Sequence, residues 1–175
     1  MELIRGVRPM TGQDIEQVAD LEQVCFSESW SENLIRMGLD SRLDTYFVYA
    51  DHGAILGYAV VRILADEGEI QRIGVYPNYR RQGIARELMD AMVAFARARG
   101  VRAIALEVRE SNLGARKLYD SYGFRQEAVR KGYYHNPAED AVIMWNRTIL
   151  KNYHLKCEYF MYIMERNQTF LSFFL

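Results

Sequence analysis

The stretch Ile73 to Arg86, IGVYPNYRRQGIAR, restricts this chain's fold more than any other. It opens as an apolar strand, Ile73-Gly74-Val75, and turns at Pro77-Asn78. It then runs through Arg80-Arg81-Gln82-Gly83 into a helix whose apolar positions, Leu88, Met92 and Phe95, recur at spacings of three and four. A loop with free backbone N–H groups therefore sits at a helix N-terminus directly after a strand. That arrangement suits a phosphate, through exposed donors and the positive end of the helix dipole. Gly83 permits close approach to the backbone, and Arg80, Arg81 and Arg86 add positive charge. The loop lacks the Lys-Ser/Thr pair of a triphosphate-binding loop and the three glycines of a dinucleotide fingerprint.

The rest of the chain alternates in the same way. Leu3 to Arg8 reads as a strand, and Thr11 caps a helix with apolar positions Ile15, Val18, Ala19, Leu21, Val24 and Cys25. Ser31 caps a short helix carrying Leu34, Ile35 and Met37. Strands follow at Thr45 to Ala50, Ile55 to Leu64 and Glu69 to Val75. After the helix that Gly100 stops come a strand at Ala103 to Val108, a helix from Ser111-Asn112 to Gly123, and strands at Phe124 to Val129 and Asp140 to Thr148. The order predicts an α/β fold, a mixed sheet with helices on its faces.

Composition excludes several function classes. The chain has 175 residues, half of them hydrophobic, and a formal net charge of −1. A single domain of ordinary composition fits, and nothing in the charge argues for nucleic acid or an anionic membrane. The start MELIRGVRP carries charges where a signal peptide would need an apolar run, and no apolar run is long enough to span a bilayer. The expectation is a cytoplasmic protein. Cys25 and Cys157 form no disulfide framework, and His52, His135 and His154 have no metal-ligand spacing, so no metal is expected.

Three further segments carry chemistry. The strand Ala103 to Val108 is apolar except for Glu107, a carboxylate near the carboxyl end of a central strand, where open α/β sheets place ligands. The strand by itself leaves open whether Glu107 is functional, solvated or paired with Arg109. Tyr119 lies on the apolar face of the returning helix, a position that packing alone would explain. Cys25 could serve as a nucleophile in a two-step transfer, yet it sits at helical spacing with Val18 and Leu21, where small buried cysteines are common.

Strand, turn, RRQGIA and helix together resemble the acyl-coenzyme A pyrophosphate loop of the GNAT N-acetyltransferases, Q/R-x-x-G-x-G/A, with Arg80, Gly83 and Ala85 in the specified places. The run Leu106 to Phe124, LEVRESNLGARKLYDSYGF, resembles the ribosomal-protein-alanine acetyltransferases, whose L-E-V-R-x-S-N-x-x-A-x-x-L-Y-x-x-x-G-F is filled at every specified position. The resemblance covers about residues 3 to 149 and implies a GNAT fold with the sheet splayed between its fourth and fifth strands. It implies acetyl-coenzyme A as co-substrate, with Arg81, Gln82, Gly83, Ile84, Ala85 and Arg86 around the pyrophosphate. The backbone N–H groups of Ile73, Gly74 and Val75 would hold the pantetheine and polarise the acetyl carbonyl, and Asn112 and Tyr119 would touch the cofactor. Glu107 becomes the general base and Tyr119 the general acid. Arg130-Lys131-Gly132-Tyr133-Tyr134 resembles the double-tyrosine loop that closes over a substrate N-terminus, and Cys25 to Ser31 resembles the loop on the other side of that groove. Phe26, Trp30, Arg72, Tyr133 and Tyr134 are thus the implied acceptor contacts. The chain departs from the family at Ser27 and Ser29, where prolines are common, and at Gln71-Arg72, where leucine and asparagine are usual.

The chemistry suits an α-amine acceptor. At pH 7, deprotonating an α-amine of pKa about 8 costs about 1.4 kcal/mol, against about 4.6 kcal/mol for a lysine. One carboxylate is adequate help for the first, and a tyrosine protonated at pH 7 can donate to the leaving thiolate. The expectation is direct transfer from acetyl-coenzyme A to a protein N-terminus, foremost an N-terminal alanine of a small-subunit ribosomal protein. Acetylation of a small amine or lysine, and a non-catalytic sensor that retains acetyl-coenzyme A, are the alternatives. Residues 1–150 form the expected domain. Residues 151–175, with seven aromatics and no Gly, Ala or Val, form an extension in which a helix is expected over Leu155 to Arg166.

Overall fold

The computed structural model describes residues 5–150. Leu3 and the expected helix at Leu155 to Arg166 lie outside the described residues. Strand β1 (Gly6–Pro9) leads through a single 3-10 turn (Gly12–Asp14) into α1 (Ile15–Cys25) and α2 (Glu32–Leu39). Then come β2 (Asp44–Asp51), β3 (Ala54–Leu64), β4 (Glu67–Val75), α3 (Ile84–Ala98), β5 (Ala103–Arg109), α4 (Leu113–Ser121), β6 (Arg125–His135) and β7 (Ala138–Asn146). The strands form one sheet in the order β1-β2-β3-β4-β5-β7-β6. Every neighbouring pair is antiparallel except β4 and β5, which α3 joins as a parallel crossover.

Helices cover both faces, and the period-two alternation of the strands sorts the core into two layers. Tyr46, Val48, Tyr58 and Val60 pack with Val18, Leu21 and Ile35 beneath α1 and α2. Phe47, Tyr49, Ala59 and Val61 pack with Leu88, Met92 and Phe95 beneath α3, with the Phe47 and Phe95 rings edge to face at 5.8 Å. A strand covered on both sides must be apolar throughout, which is why Ile55 to Val61 contains no charge.

The helix starts are specified locally. Asp14 accepts from the Thr11 N–H at 2.8 Å and from Arg8 Nη1 and Nη2 at 2.7 Å each. Burial alone would push its carboxyl up, but Arg8 and Thr11 outweigh that and hold it below the usual carboxylate range. The α-helix proper begins at Ile15, four residues after Thr11 and beyond the 3-10 turn. Ser31 Oγ accepts from the Leu34 N–H at 3.3 Å and caps α2.

Two expectations need correcting. On α1, Val24 is 55% exposed and Glu22 is wholly buried. At 100° per residue Glu22 lies 40° from Val18, whereas Val24 falls on the far side. On α2, Ile35 is buried but Leu34 and Met37 face solvent. The second correction concerns Arg130 to Tyr134, read from sequence as a loop, which lies inside β6. The register passes from Arg130↔Ala141 to Tyr134↔Glu139, so the extra residues form a bulge. Gly132 at φ +60° and the Asp140 carboxylate, which accepts from Lys131 Nζ and the Gly132 N–H, hold that bulge within the hairpin.

What positions the site is the parting of β4 and β5. Their pairing runs from Glu67↔Ala103 to Ile70↔Leu106 and stops. Beyond it β4 continues to Val75 and β5 to Arg109 as separate walls.

Candidate active site

The parted strands open a cleft of about 210 Å³ whose lining includes Phe26, Arg72, Ile73, Glu107, Asn112, Tyr119 and Tyr134. On its β4 side the chain leaves the strand at Val75, and the Arg80 Nε–H donates to the Val75 carbonyl at 3.0 Å, fixing the strand end to the loop. Arg81 (φ +65°) and Gly83 (φ +90°) both adopt left-handed backbone. Nothing lies within 4 Å of where a Gly83 side chain would begin. The first helical bonds run from Arg86 and Glu87 N–H to the Gly83 carbonyl, at 2.9 and 3.1 Å. The N–H groups just before them therefore precede the α3 ladder and point outward at the positive end of the helix. Ile84 is buried beneath the loop and anchors it, Ala85 packs against the same core, and Gln82 Nε2 donates to the Asn78 carbonyl at 3.3 Å. Arg86 lies over the Tyr122 ring at 5.9 Å, and the Tyr122 hydroxyl is 2.6 Å from Asp90 Oδ1.

Of the three β4 residues expected beside the pantetheine, Ile73 lines the cleft. At Gly74 it is the side-chain face, rather than the backbone edge, that is filled: a side chain there would come within 3.0 Å of Leu21 and Phe26. Val75 is buried, and its carbonyl also accepts from the Cys25 thiol at 3.4 Å. Burial pushes that thiol up from its ordinary value.

Glu107 is the first β5 residue past the last β4 pairing. Its side chain is 22% exposed and pairs with Arg130 Nη1 at 2.9 Å. Of the readings left open by the strand, pairing with Arg109 is not the one found, since Arg109 pairs with Glu139 at 3.2 Å. The Tyr133 hydroxyl donates to Glu107, and that bond, more than burial, raises its pKa. Tyr119 is 5% exposed, with its ring 6.0 Å from Phe124. Burial holds its hydroxyl protonated well above the normal tyrosine range. Asn112 Oδ1 accepts from the Ala115 N–H at 3.1 Å, so this cleft residue is also the cap of α4.

The opposite walls are built from side chains. Tyr133 and Tyr134 stand edge to face at 5.1 Å on edge strand β6, and Arg109 lies 4.1 Å over Tyr134. Arg109 donates to Ser27 Oγ, the Asn136 carbonyl and the Pro137 carbonyl at 3.0–3.1 Å, linking the α1–α2 loop to the β6–β7 hairpin. Glu139 in turn accepts from the Ser111 N–H at 2.5 Å. Phe26, Trp30 and Arg72 come together as one stack, the guanidinium 4.5 Å from each ring. Sequence reasoning missed Glu22 and the linking role of Arg109. A charge on the apolar stripe of α1 was the available signal for Glu22; Arg109 gave none, since its partners are remote in sequence. Among the described residues no group of three or more His, Cys, Asp and Glu side chains could hold a metal ion, and no helix is long and apolar enough to cross a membrane.

Comparison with known proteins now adds to this geometry. The acetyltransferase (GNAT) family model matches residues 15–124. The [ribosomal protein bS18]-alanine N-acetyltransferase of Haemophilus ducreyi is 34% identical over 143 residues, covering 79% of this chain and 97% of that protein. The crystal structure of the ribosomal-protein-S18-alanine N-acetyltransferase from Escherichia coli matches with a TM-score of 0.77 at 28% identity, over 87% of this chain and 99% of that one. Ard1 from Thermoplasma volcanium matches with a TM-score of 0.76 at 29% identity, over 81% and 96% of the two chains.

Proposed function

The chain belongs to the acetyltransferase (GNAT) family, and from that premise we propose that it acetylates the α-amine of a protein N-terminus, foremost the N-terminal alanine of ribosomal protein S18. That acceptor would place its work in the cytoplasm. The observation that carries the reading is the make-up of the cleft. Glu107, a carboxylate on β5 just where the strands part, and Tyr119, a buried phenol, line the gap with Tyr134 at its side, while the other lining carboxylate, Glu28, belongs to the α1–α2 loop. The names of the relatives support the choice of acceptor.

The residues present fit acetyl-coenzyme A. The N–H groups before the α3 ladder and the open space over Gly83 suit the pyrophosphate, and the gap beyond Ile70 and Leu106 leaves room for an extended arm beside Ile73. The co-substrate supplies an activated acetyl thioester. Glu107, held by Arg130 and Tyr133, takes a proton from the acceptor's α-ammonium, directly or through water, so that the neutral amine attacks the thioester carbonyl. Tyr119, held protonated by burial, donates to the departing thiolate. Transfer is direct, without an acyl-cysteine, because burial disfavours the Cys25 thiolate and its S–H is engaged by Val75.

The test is mass spectrometry after incubation with acetyl-coenzyme A and three acceptors together: a peptide starting with alanine, the same peptide N-terminally blocked but carrying a lysine, and a small polyamine. Acetyl on the free α-amine alone is expected. Acetyl on the lysine or polyamine, or on none of the three, overturns the proposal.

A further inference from the structure

We propose that Arg72 is a positioning residue that ties the acceptor wall of the cleft to the cofactor strand, a proposal that rests on the reading of the cleft as a peptide groove. The α1–α2 loop supplies that wall through Phe26, Ser27 and Glu28. A loop without a hydrogen-bond ladder keeps its shape only if side chains hold it. Here a single guanidinium does so at three alternate positions. It lies 4.5 Å from the Phe26 and Trp30 ring centroids, and Nη2 donates to the Glu28 carbonyl at 2.8 Å.

Behind the stack is a wholly buried carboxylate, Glu22. It accepts from the Trp30 N–H at 2.7 Å and from the Tyr58 hydroxyl. Arg72 Nε lies 3.6 Å away, buried and with no hydrogen-bond partner among the described residues. Glu22 thus draws Arg72 inward by charge, and Arg72 clamps the loop above it. Arg72 adjoins Ile73 on β4, so the groove wall takes its position from the strand that lines the cofactor side. A lysine keeps the charge but loses the planar face needed between two rings and the fork that reaches Glu28. Arg72 stands where the resembled family usually has asparagine, so this clamp is a feature of the chain itself.

The test uses Arg72→Lys and Trp30→Leu, assayed with whichever acceptor the wild type acetylates, with Trp30 emission read in a Trp145→Phe background. Arg72→Lys should raise the acceptor KM about tenfold while kcat and the acetyl-coenzyme A KM stay within about twofold. Acrylamide quenching of Trp30 should rise in the same variant. Trp30→Leu, which leaves the Glu22–Arg72 pair in place, should raise the acceptor KM in the same direction. Unchanged acceptor KM alongside increased quenching overturns the proposal, because the clamp would then hold a loop that does not set the groove. Selective loss of acidic acceptors relative to neutral ones also overturns it, since Arg72 would then read the acceptor directly. If the wild type modifies only lysines or small amines, the functional reading falls, while the Trp30 quenching still decides whether Arg72 grips the loop.

Discussion

The two sides of the cleft are built from different materials. The side we propose for the cofactor, Ile73 through Arg86, is one continuous segment that offers mainly backbone: a strand end, two left-handed residues and the first N–H groups of α3. The side we propose for the acceptor gathers side chains from separate parts of the chain. Glu22, Phe26 and Trp30 come from α1 and its following loop, Arg72 from β4, Arg109 from β5, and Arg130, Tyr133 and Tyr134 from β6. Backbone donors recognise any pyrophosphate, because they are independent of side-chain identity. Ion pairs and stacked rings change with each substitution, so the acceptor side is where relatives of one fold can diverge in what they accept. The difference predicts that damage on one side leaves the other side's affinity intact.

The sharpest break comes at the meeting point. Glu107→Gln should lower kcat about a hundredfold at pH 7, with partial recovery at higher pH as more acceptor amine becomes neutral. Steady-state rates over a pH series check it, and wild-type turnover would remove Glu107 from the mechanism. Gly83→Asp comes next. Any side chain at φ +90° is strained, and an aspartate also repels phosphate, so acetyl-coenzyme A affinity should fall at least about tenfold with the acceptor KM unchanged. Equal loss of both affinities would deny that the two sides are separable.

Tyr119 gives a pH prediction. A general acid works in its protonated form, and burial raises the Tyr119 pKa. Its ionisation therefore begins only above the ordinary tyrosine value of about 10, and kcat should show no downturn below that pH. A fall near pH 9 that Tyr119→Phe abolishes would contradict the assignment. The smallest effect belongs to Asn112, which caps α4 as well as lining the cleft. Asn112→Ala should cost about 1 kcal/mol of stability in a denaturant titration, and a larger loss in acetyl-coenzyme A affinity than in stability would show that its amide also serves the cofactor side.

The same division explains what could be read from the sequence. The β4–loop–α3 unit was legible because strand, turn and helix signals are local, and the resemblance of RRQGIA and LEVRESN to one family located the splay. Glu107 stood out as the lone charge on an apolar strand. The acceptor wall was less legible, because its shape depends on contacts between residues far apart. Phe26, Trp30 and Arg72 were named individually, yet nothing in their spacing says that they stack on one another over Glu22. The hairpin bulge was missed for a similar reason: Gly132 and Asp140, eight residues apart, act together to keep Tyr133 and Tyr134 on a strand.

In the proposed mechanism, backbone on the α3 side holds the co-substrate while Glu107 serves the chemistry alone. Calorimetric titration of acetyl-coenzyme A into the Glu107→Gln protein tests it directly. A Kd within about twofold of wild type is expected in a protein that scarcely turns over. A Kd weakened tenfold or more would contradict it, placing Glu107 in the cofactor site and joining the two sides into one.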